Sequence, residues 1–587
     1  MKKILFLLLI SQICFGQTSQ WAKRAGTATG DDFGYGICAD KANNVYITGQ
    51  MDSTYKFCDT AHILTHYNYC FISKYTPAGQ VRWTQKVIGI NNNLGLHVCT
   101  DSSANVFVAG QFIDTSFCHK GIVFNTRVAV RDTFTHDTTI IIHDTTTLVI
   151  HGTTIVDTVY YFDRDTMRGN SLAEVFITKY DSAGNFKWAS KVIGLNTNIS
   201  VNEMSAGPNG DIYITGQFNG TAKFDKDTVY SSGNGDYYLA KYSSDSGKVK
   251  WVKHGASVGN SVAVDQKSGI IYAAGTYQNT ATFGTLTLNS MGNVNNDDIF
   301  LAAVDTGGNY LWVKGIGGSW EDHVHNIALD TNGNIFVTGL LTPASDAFFG
   351  IDTLHAYPGD IFLAKYNSAG IEQWAKMAGG STLDEVNAIA VDNAGNAYLT
   401  GDFQNVATFG SHTLGNNGGQ DIFISKYNSS GTILGSTSVG GPSDDVARGI
   451  ALDGNGDLYI TGSFKDTCKF GGVTANRLIS AAGSDAFVAK TGINVSVSDI
   501  KSTGSVTFDA YPNPTTGDIN IYFSTKENTS LTIKLTNMNG QVVYNEQKSQ
   551  FIGVYRTTVD FCHHAKGVYF LEMITDKETM VKKIILN

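Results

Sequence analysis

Charge, proline, cysteine and long apolar runs are all scarce in this 587-residue chain. Charged residues make up 16% of it and the formal net charge is −10, which argues against nucleic-acid binding because that needs a basic surface. No basic amphipathic stretch indicates docking on a membrane. Hydrophobic residues still make up 42%, so the composition fits neither a disordered chain nor a coiled coil.

The scarcity of proline, with 7 residues against 63 glycines, means that Gly and Asn must make most of the tight turns. The chain is also too long for one ordinary hydrophobic core. A repeat architecture or a second domain is therefore expected.

The first residues, MKKILFLLLISQICFG, have the form of a secretory signal. Lys2 and Lys3 form a charged start, and residues 4–10 form an apolar core that is too short to span a bilayer. We expect cleavage after Gly16, so that residues 1–16 are the signal peptide. No later segment is long and apolar enough to be transmembrane. Seven of the 8 cysteines remain after cleavage, and an odd number does not fit a disulfide scaffold.

A four-residue motif recurs along the chain: an aromatic, an aliphatic, Thr or Ala, and Gly. Its glycines are Gly49, Gly110, Gly216, Gly275, Gly339, Gly401 and Gly462. The copies lie about 60 residues apart, except for one interval of 106 (216 − 110). This period predicts seven structural units, with an insertion in the second.

Each unit contains four strand-like segments separated by turn residues. In the sixth unit they are 388–392, 397–403, 421–427 and 432–435, with the turns NAGN and NSSG typical of hairpins. The third segment of the fifth unit, DIFLAKY (360–366), is apolar on both faces. A strand that is buried on both sides fits a sheet stacked between two others, as in the blades of a β-propeller.

Small residues occupy one position in all seven units, two residues before the first turn. They are Cys38, Cys99, Ser205, Ala263, Ala328, Ala390 and Ala451. The narrow axis of a propeller requires small side chains on the innermost strands. We expect Cys38 and Cys99 to be small buried side chains; the alternative is a disulfide between them.

The stretch WAKRAG (21–26) nearly repeats WAKMAG (374–379), which ends one unit and leads into the next. The seventh unit stops after DAFVAK (485–490) and has no such segment of its own. We therefore expect 21–26 to be the outermost strand of the seventh unit, which would close the ring without capping repeats. The predicted fold is all-β, a seven-bladed β-propeller over residues 17–490.

The pattern DxFxxKYxxxGxxxW…GGxxxDxxxxIAxDxxGNxYxTGxF, seen best over 360–403, resembles the SBBP-type β-propeller repeat of secreted bacterial proteins. The resemblance covers about residues 21–490 in seven copies. It implies the fold, and it implies little about a ligand because that repeat family has no shared activity.

A second resemblance lies at the end of the chain, after an expected linker at 491–505. Residues 506–587 resemble the C-terminal sorting domain of type IX secretion cargo, and alternating strands there predict a small β-sandwich. The matching residues are Pro512, Asn513, Pro514, Gly567, Tyr569, Lys582 and Lys583. The resemblance implies recognition by an outer-membrane translocon, and then secretion or attachment to the outer cell surface.

The link into the innermost strand carries Asp in four consecutive units of the predicted ring. These residues are Asp32, Asp322, Asp384 and Asp445, and Asn93, Ile199 and Ser257 take their place in units two to four. We expect these aspartates to accept backbone N–H bonds that hold each link. The alternative is a binding site for a cation such as calcium, or for a polar ligand, on this acidic arc.

Three further residues lie on the arc: Trp320, His323 and His325. Two histidines at i and i+2 on a strand have the spacing of metal ligands. We expect these two instead to be ordinary polar residues of the link between units. We expect no cofactor. The turn DGNGD (453–457) resembles calcium-binding spacing, yet it lacks the rest of such a loop and is expected to be a hairpin turn.

The insertion in the second unit, residues 119–173, repeats HDTT, HDTT and HGTT between apolar triplets. Its alternation predicts a long hairpin or β-arm. It is either a contact element for another protein or a glycan, or a Thr-rich decoration without a ligand.

No motif for nucleophilic, zinc or phosphate chemistry is found. We expect a secreted or surface-attached propeller that binds a protein or glycan and is not an enzyme. The alternative is an enzyme that degrades polysaccharide with carboxylates assembled from separate units.

Overall fold

The architecture is that of a computed structural model containing strands and turns and, among the residues it describes, no helix. The described residues are 21–586 except 27–29, 53, 58–59, 64–67, 90–92, 114–115, 119–121, 124–136, 143–145, 152–159, 162–172, 196, 234, 256, 293–295, 343–345, 356–359, 381, 383, 411, 471–476, 493–506, 512–518, 538–540, 561–563 and 577–578. The chain divides into two compact bodies, Met1–Asn494 and Val495–Asn587.

The described strands of the first body form seven four-stranded antiparallel units, numbered here in chain order. From the innermost strand outward, unit one consists of Phe33–Ala39, Val45–Met51, Tyr69–Tyr75 and Val81–Gly89, and unit two of Asn93–Thr100, Val106–Ile113, Ala173–Tyr180 and Phe186–Leu195. Unit three consists of Glu203–Ala206, Ile212–Phe218, Asp236–Tyr242 and Val249–Gly255, and unit four of Val258–Val264, Ile271–Tyr277, Asp298–Val304 and Tyr310–Gly318. Unit five consists of Asp322–Leu329, Ile335–Leu341, Asp360–Tyr366 and Glu372–Gly380, and unit six of Glu385–Val391, Ala397–Phe403, Asp421–Tyr427 and Ile433–Val439. Unit seven consists of Asp445–Leu452, Leu458–Lys469, Arg477–Thr491 and, as its outermost strand, Trp21–Ala25.

The middle strands of each unit are buried on both faces. Every residue of Asp298–Val304 and of Asp360–Tyr366 is buried, although alternate side chains point to opposite sides of the sheet. Their apolar residues join core clusters that contain residues of neighbouring units. The uninterrupted apolar runs in the sequence are therefore explained by packing between stacked sheets.

A tryptophan on the outermost strand joins a unit to the next one. Trp83, Trp188 and Trp251 donate from Nε1 to carbonyl oxygens in the 3→4 turn of the following unit at 3.2, 2.8 and 3.1 Å. Trp312 and Trp374 do the same at 3.2 and 3.1 Å. The innermost strands also contact one another in cyclic order, from the first to the seventh and back to the first. The seven units thus form a closed ring.

The N-terminal strand closes this ring. Trp21–Ala25 pairs antiparallel with residues 486–490 of the third strand of unit seven. Trp21 then donates from Nε1 to the Pro77 carbonyl of unit one at 3.0 Å, in the same way as the other tryptophans. The N-terminal segment therefore supplies the fourth strand of unit seven and the tryptophan hydrogen bond that joins unit seven to unit one.

The predicted small residues lie on the innermost strands. Cys38 and Cys99 are free thiols that pack against neighbouring cores, and burial raises the pKa of both. A raised pKa keeps a thiol protonated and unreactive. The expected packing role is found, and the alternative disulfide is not.

The links between the second and third strands carry short hairpins, as in Thr280–Phe283 with Leu286–Asn289 and Val406–Phe409 with His412–Gly415. The remaining link strands are Thr54–Phe57, Thr60–Ile63, Ser116–Cys118, Ile122–Val123, Asp137–Ile142, Thr146–His151, Tyr160–Tyr161, Thr221–Phe224, Asp227–Tyr230, Asp346–Phe348 and Thr353–His355. Within the insertion, Asp137–Ile142 and Thr146–His151 pair as an antiparallel hairpin. Most of the rest of 119–173 lies outside the described residues.

The described residues of the second body form five strands: Thr507–Tyr511, Ile519–Asn537, Val542–Val559, Gly567–Thr575 and Thr579–Leu586. They belong to one hydrogen-bonded network, because the long strand Ile519–Asn537 pairs with three others. Its alternate residues Ile519, Ile521 and Phe523 are buried in a separate core. Among all the described residues, none lies in a helix that has the length and hydropathy to cross a membrane.

Candidate functional site

Each innermost strand has an extra residue at the same place. The register with the second strand shifts by one residue in six units, and in unit three Asn202 holds the equivalent position. The residues at this position, which we call the bulge ring, are Tyr35, Leu96, Asn202, Asn260, His325, Asn387 and Arg448. All seven are half-buried. Bulges often re-aim side chains beside binding sites.

Side chains of the bulge ring reach across to the next unit. Asn202 Nδ2 donates to the Gly259 carbonyl at 2.8 Å, and Asn387 Nδ2 donates to the Ala447 carbonyl at 2.9 Å. His325 Nδ1 lies 2.7 Å from the Val386 carbonyl oxygen, which identifies Nδ1 as the protonated nitrogen. The ring therefore forms a rim, polar except at Leu96, at the end of the propeller that carries the links, and these three members tie their unit to the next.

The rim continues from unit seven into unit one through an arginine. The Arg448 guanidinium lies 5.2 Å from the centre of the Phe33 ring and 5.5 Å from that of Tyr35, and Nη1 donates to Ser463 Oγ at 2.6 Å. Burial raises the pKa of Tyr35, and the positive charge of Arg448 partly opposes that rise. The guanidinium of Arg448 therefore places a permanent positive charge beside two aromatic rings.

A buried carboxylate supports the rim at unit six. Asp402 accepts from Asn387 Nδ2 at 3.0 Å and from Gln420 Nε2 at 2.8 Å. Burial, followed by the neighbouring charge of Glu385, raises the pKa of Asp402 to about 7. Because both of its oxygens accept hydrogen bonds, Asp402 holds Asn387 in place.

One residue further along the innermost strands, three polar side chains meet inside the ring. Glu203 of unit three lies 3.1 Å from His97 Nδ1 of unit two and accepts from Asn326 Nδ2 of unit five at 3.0 Å. Units that are not neighbours in sequence are thereby joined across the axis. His97, Glu203 and Asn326 thus form a polar contact inside the ring, one residue further along the strands than the bulge ring.

The aspartates of the acidic arc are buried between units rather than displayed on the surface: the exposure of Asp32, Asp322, Asp384 and Asp445 is 0%. Asp32 accepts the Asp52 amide at 2.9 Å and Asp384 accepts the Gln404 amide at 3.3 Å, as expected for residues that hold the links. Asp322 and Asp445 have no such bond to either carboxylate oxygen. Burial and a neighbouring aspartate raise their pKa values to about 7 and about 8.

The other predicted site residues are placed differently from one another. Trp320 is 52% exposed, on the link that leads to the bulge ring. His323 faces Asp297 at 3.8 Å and Glu321 at 4.0 Å, whereas His325 belongs to the ring itself. No group of three or more His, Cys, Asp or Glu able to hold a metal is assembled within the described ranges.

The turn at 453–457 is a hairpin turn like those of the sister units. Asp453 Oδ1 accepts the amides of Asn455 and Asp457 at 2.9 and 3.0 Å, and Oδ2 accepts from the Tyr459 hydroxyl at 3.1 Å. Asp40 and Asp392 make the same contacts in their own turns. The carboxylate is occupied by the turn.

Of the residues that matched the sorting signal, Pro512, Asn513 and Pro514 lie outside the described residues. Gly567–Thr575 pairs with Thr579–Leu586, which places Leu571 opposite Lys582 and Phe570 opposite Lys583. Tyr569 is buried, and its hydroxyl donates to the Ala565 carbonyl at 2.5 Å. The terminal motifs therefore form one hairpin.

Most of the bulge ring was missed by sequence reasoning, which singled out His325 alone. The missed residues are Tyr35, Leu96, Asn202, Asn260, Asn387 and Arg448. Each follows the arc position by three residues, so a fixed offset from that position was the available signal.

Two family models match the chain. The model described as a β-propeller repeat (SBBP) matches residues 20–52, 311–340 and 373–402, and the model described as a secretion system C-terminal sorting domain matches 509–587. Both predicted resemblances are confirmed, including the repeat segment at the N-terminus. The sorting domain marks the chain as an exported protein, secreted or at the cell surface, and as a client of the type IX secretion system.

Curated relatives match only part of the chain. An uncharacterized WD repeat-containing protein of Acanthamoeba polyphaga mimivirus is 29% identical over 171 residues, which cover 26% of this chain and 12% of the relative. The regulatory protein FlaEY of Caulobacter vibrioides is 24% identical over 191 residues, which cover 31% of this chain and 20% of the relative. The chain thus spans a fifth or less of either relative.

Solved structures with detectable likeness include the extracellular domain of a hybrid two-component system from B. thetaiotaomicron, with 10% identity and a TM-score of 0.19, covering 94% of this chain and 80% of that one. A GH43 protein from Bacillus licheniformis has 9% identity and a TM-score of 0.21, covering 67% and 90%. Scores this low say nothing about activity. The chain carries SBBP-type β-propeller repeats and a C-terminal secretion sorting domain, which marks it for export.

Proposed function

We propose that this protein is a secreted or surface-displayed binding module whose ligand surface is the bulge ring together with Trp320. The observation that supports this most is the ring itself. One backbone position, repeated seven times at one end of the propeller, carries seven half-buried side chains of varied chemistry. The repeated backbone position is explained by the fold, because every unit has the same strands. The varied side chains at that position are explained by contacts with a ligand.

The chemistry of the rim favours a glycan over an apolar ligand. Asn260, His325 and Asn387 offer amide and imidazole groups, and Arg448 stacks on aromatic rings. Trp320 presents a large flat surface to solvent at the same end. Hydroxyl-rich ligands need several oriented hydrogen-bonding groups and an amphipathic ring to lie against. A polar protein loop is the second ligand class that fits.

The test is a glycan and protein binding array with the full mature chain, repeated with Trp320→Ala and Asn387→Ala. We expect specific binding that falls at least tenfold in both variants, the loss of about 1.4 kcal/mol or more. The matched control is Tyr230→Ala, because Tyr230 is also a highly exposed aromatic, at 66%, but lies on an outer hairpin. Equal binding by all four proteins would refute this ligand surface.

An enzyme acting on polysaccharide is the alternative, and one observation favours it. Glu385 and Asp402 are neighbouring carboxylates beneath the rim, and the pKa of Asp402 is raised to about 7 by burial and by Glu385. General acids commonly have raised pKa values of this kind. Against this, Asp402 is 2% exposed and both of its oxygens accept hydrogen bonds.

A turnover assay on the glycans bound in the array separates the two functions. A binding module releases them unchanged. Hydrolysis that disappears in Glu385→Gln while binding persists would establish the enzyme instead.

A further inference from the structure

Pairs of buried aspartates occur at the boundaries between units four and five, five and six, and six and seven. The first member opens the third strand of one unit, and the second member is the arc residue of the next unit. The pairs are Asp298 with Asp322, Asp360 with Asp384, and Asp421 with Asp445, each separated by 24 residues (322 − 298, 384 − 360, 445 − 421). The repeat itself therefore brings two carboxylates together at each boundary.

At the first two boundaries the two carboxylates of a pair meet over the same glycine, and at the third Asp421 and Asp445 lie against the adjacent glycines Gly440 and Gly441. A Cβ atom on Gly317 would lie 2.2 Å from Asp298 Oδ1 and 3.0 Å from Asp322 Oδ2, so no other residue fits there. At the next boundary, a Cβ on Gly379 would lie 3.0 Å from Asp360 Oδ1 and 3.3 Å from Asp384 Oδ2. The close approach is a repeated feature.

Several of these carboxylate oxygens are buried with nothing to balance them. Asp322 and Asp445 are 0% exposed, and neither oxygen of either residue has a hydrogen-bond partner in the described part of the chain. The same holds for Oδ1 of Asp298 and of Asp421, which are also buried. The amides of Gly318, Gly441 and Lys465 lie near enough to oppose the rise in pKa, and the Cys468 thiol lies beside Asp445, but none of them is in hydrogen-bonding geometry. Two buried carboxylates without a positive group are strongly unfavourable.

Other boundaries carry their own positive group. At the boundary of units seven and one, Asp485 faces Arg24 Nε at 3.1 Å. Between units three and four, Asp236 faces His254 Nδ1 at 3.4 Å. No Lys, Arg or His within the described ranges forms an ion pair with Asp322 or Asp445. These boundaries require a positive species from solution.

We propose that a calcium ion binds at the boundary of units four and five and at that of units six and seven, bridging the two aspartates of each pair. Ca²⁺ prefers carboxylate and carbonyl oxygens and tolerates irregular geometry, with backbone carbonyls and water completing its six to eight ligands. Mg²⁺ demands a more regular shell and gives up its waters reluctantly, so it fits a buried pair less well.

The ion would act as a staple between neighbouring units. It neutralises two charges that no side chain neutralises, and it joins a third strand to the following link. A site with two carboxylates has few charged ligands, so we expect affinity in the range of extracellular calcium modules, with Kd on the order of 10⁻⁴–10⁻³ M. An exported protein meets calcium at such concentrations.

The first experiment measures calcium binding to the full mature chain by equilibrium dialysis at pH 9, above the raised pKa values of about 7 for Asp322 and about 8 for Asp445, so that a competing proton is largely absent. We expect more than one ion bound per chain at millimolar CaCl₂ and a melting temperature a few degrees higher than in EDTA. No bound calcium and no shift would overturn the proposal, and would mean that protons alone balance the pairs.

The second experiment compares Asp322→Asn with the control Asp236→Asn, which lies at a boundary with its own histidine. The first variant should lose part of the calcium-induced rise in melting temperature, yet be more stable than the wild type in EDTA because like charges no longer meet. The control should keep the full rise. If Asp322→Asn keeps the full rise, or is destabilised equally with and without calcium, the aspartate is structural only. Neither outcome depends on the ligand of the bulge ring.

Discussion

The boundaries between the seven units divide into two groups. From unit four round to unit one, the arc position and the matching position of the preceding third strand both carry aspartate, whereas from unit one to unit four at most one does. The third-strand residues are Asp298, Asp360, Asp421 and Asp485. The backbone is the same in both groups: the arc amide bonds to the carbonyl before the third strand in Asp322, Asp445 and Asn93 alike, at 2.7, 2.8 and 3.1 Å. Backbone geometry is thus repeated while the balance of charge differs from one boundary to the next.

That difference teaches that the aspartates are not required to close a link. Asn93 and Ile199 occupy the arc position without a carboxylate and make the same backbone bond. Paired carboxylates are therefore an addition to the repeat rather than its foundation. Of the four boundaries that have them, the one between units seven and one has Arg24 beside Asp485, whereas Asp322 and Asp445 at two others have no ion-pair partner among the described residues.

The largest effect is expected from breaking the closing boundary by deleting residues 17–26. Pairing with residues 486–490 is lost, together with the Trp21 bond to Pro77 and the Arg24 ion pair with Asp485. Removing a packed Trp alone costs about 3–5 kcal/mol. We expect a drop of ten degrees or more in melting temperature by calorimetry, relative to a chain beginning at residue 17. An unchanged melting temperature would show that the ring does not depend on this strand.

A smaller effect is expected from Arg24→Met, which makes the closing boundary resemble the others. The Asp485 side chain is fully buried, so loss of its partner should destabilise the protein by about 1–3 kcal/mol, since Arg24 is partly exposed. Chemical unfolding in EDTA measures this loss, and calcium should restore part of it. The matched control is Lys23→Met, at an exposed neighbouring position. Equal losses in both variants would contradict the role of Arg24.

The pH dependence of stability sharpens the comparison further. Burial and, for Asp322 and Asp445, a neighbouring aspartate raise the pKa values of Asp298, Asp322 and Asp445 to about 6, 7 and 8. Since these lie above the usual value near 3.8, the protonated groups stabilise the fold at low pH and that stability is lost as the pH rises through 6–8.

In EDTA, the free energy of unfolding should therefore fall between pH 5 and pH 8, with a slope of at most about 1.4 kcal/mol per pH unit for each group. Asp322→Asn should have a shallower slope, whereas Asp236→Asn should not. Urea unfolding at several pH values measures both. A slope that is identical in the two variants would contradict the assignment.

The smallest effect is expected from deleting residues 121–170, on the side of the ring that lacks aspartate pairs. Ile113 and Ala173 are register partners, so the strands of unit two that flank the insertion already meet without it. Shortening a loop changes its closure entropy only slightly. The melting temperature should change by no more than about 2 °C. Unfolding of the rest of the chain would show that the insertion is part of the fold.

Much of the architecture was predictable because it is periodic. The strand pattern, the buried third strands and the role of Trp21 all follow from comparing one unit with the next. The bulge ring was not predicted, because its residues share a position but no chemistry, as Leu96 and Arg448 illustrate. A search by residue type passes over such positions.

The acidic arc was recognised in the sequence, but its environment was not. Its members share a residue type, and the sequence led us to place them at one face. They are buried because they lie at the boundary with the preceding unit, where Asp322, for example, lies against the same glycine as Asp298. The pairing depends on contacts between units, which no single repeat contains.

By itself, the sequence determined the repeat, the strands, the closing segment and the exported fate of the chain, because each is written in local pattern: turn residues, alternating apolar positions and terminal motifs. Only the tertiary structure decided which side chains meet. His97, Glu203 and Asn326 come from three different units, and Asp322 lies against Asp298, because a closed ring brings the same position of every unit to one axis. Electrostatics depends on distance in space, and that distance exists only once the ring has closed.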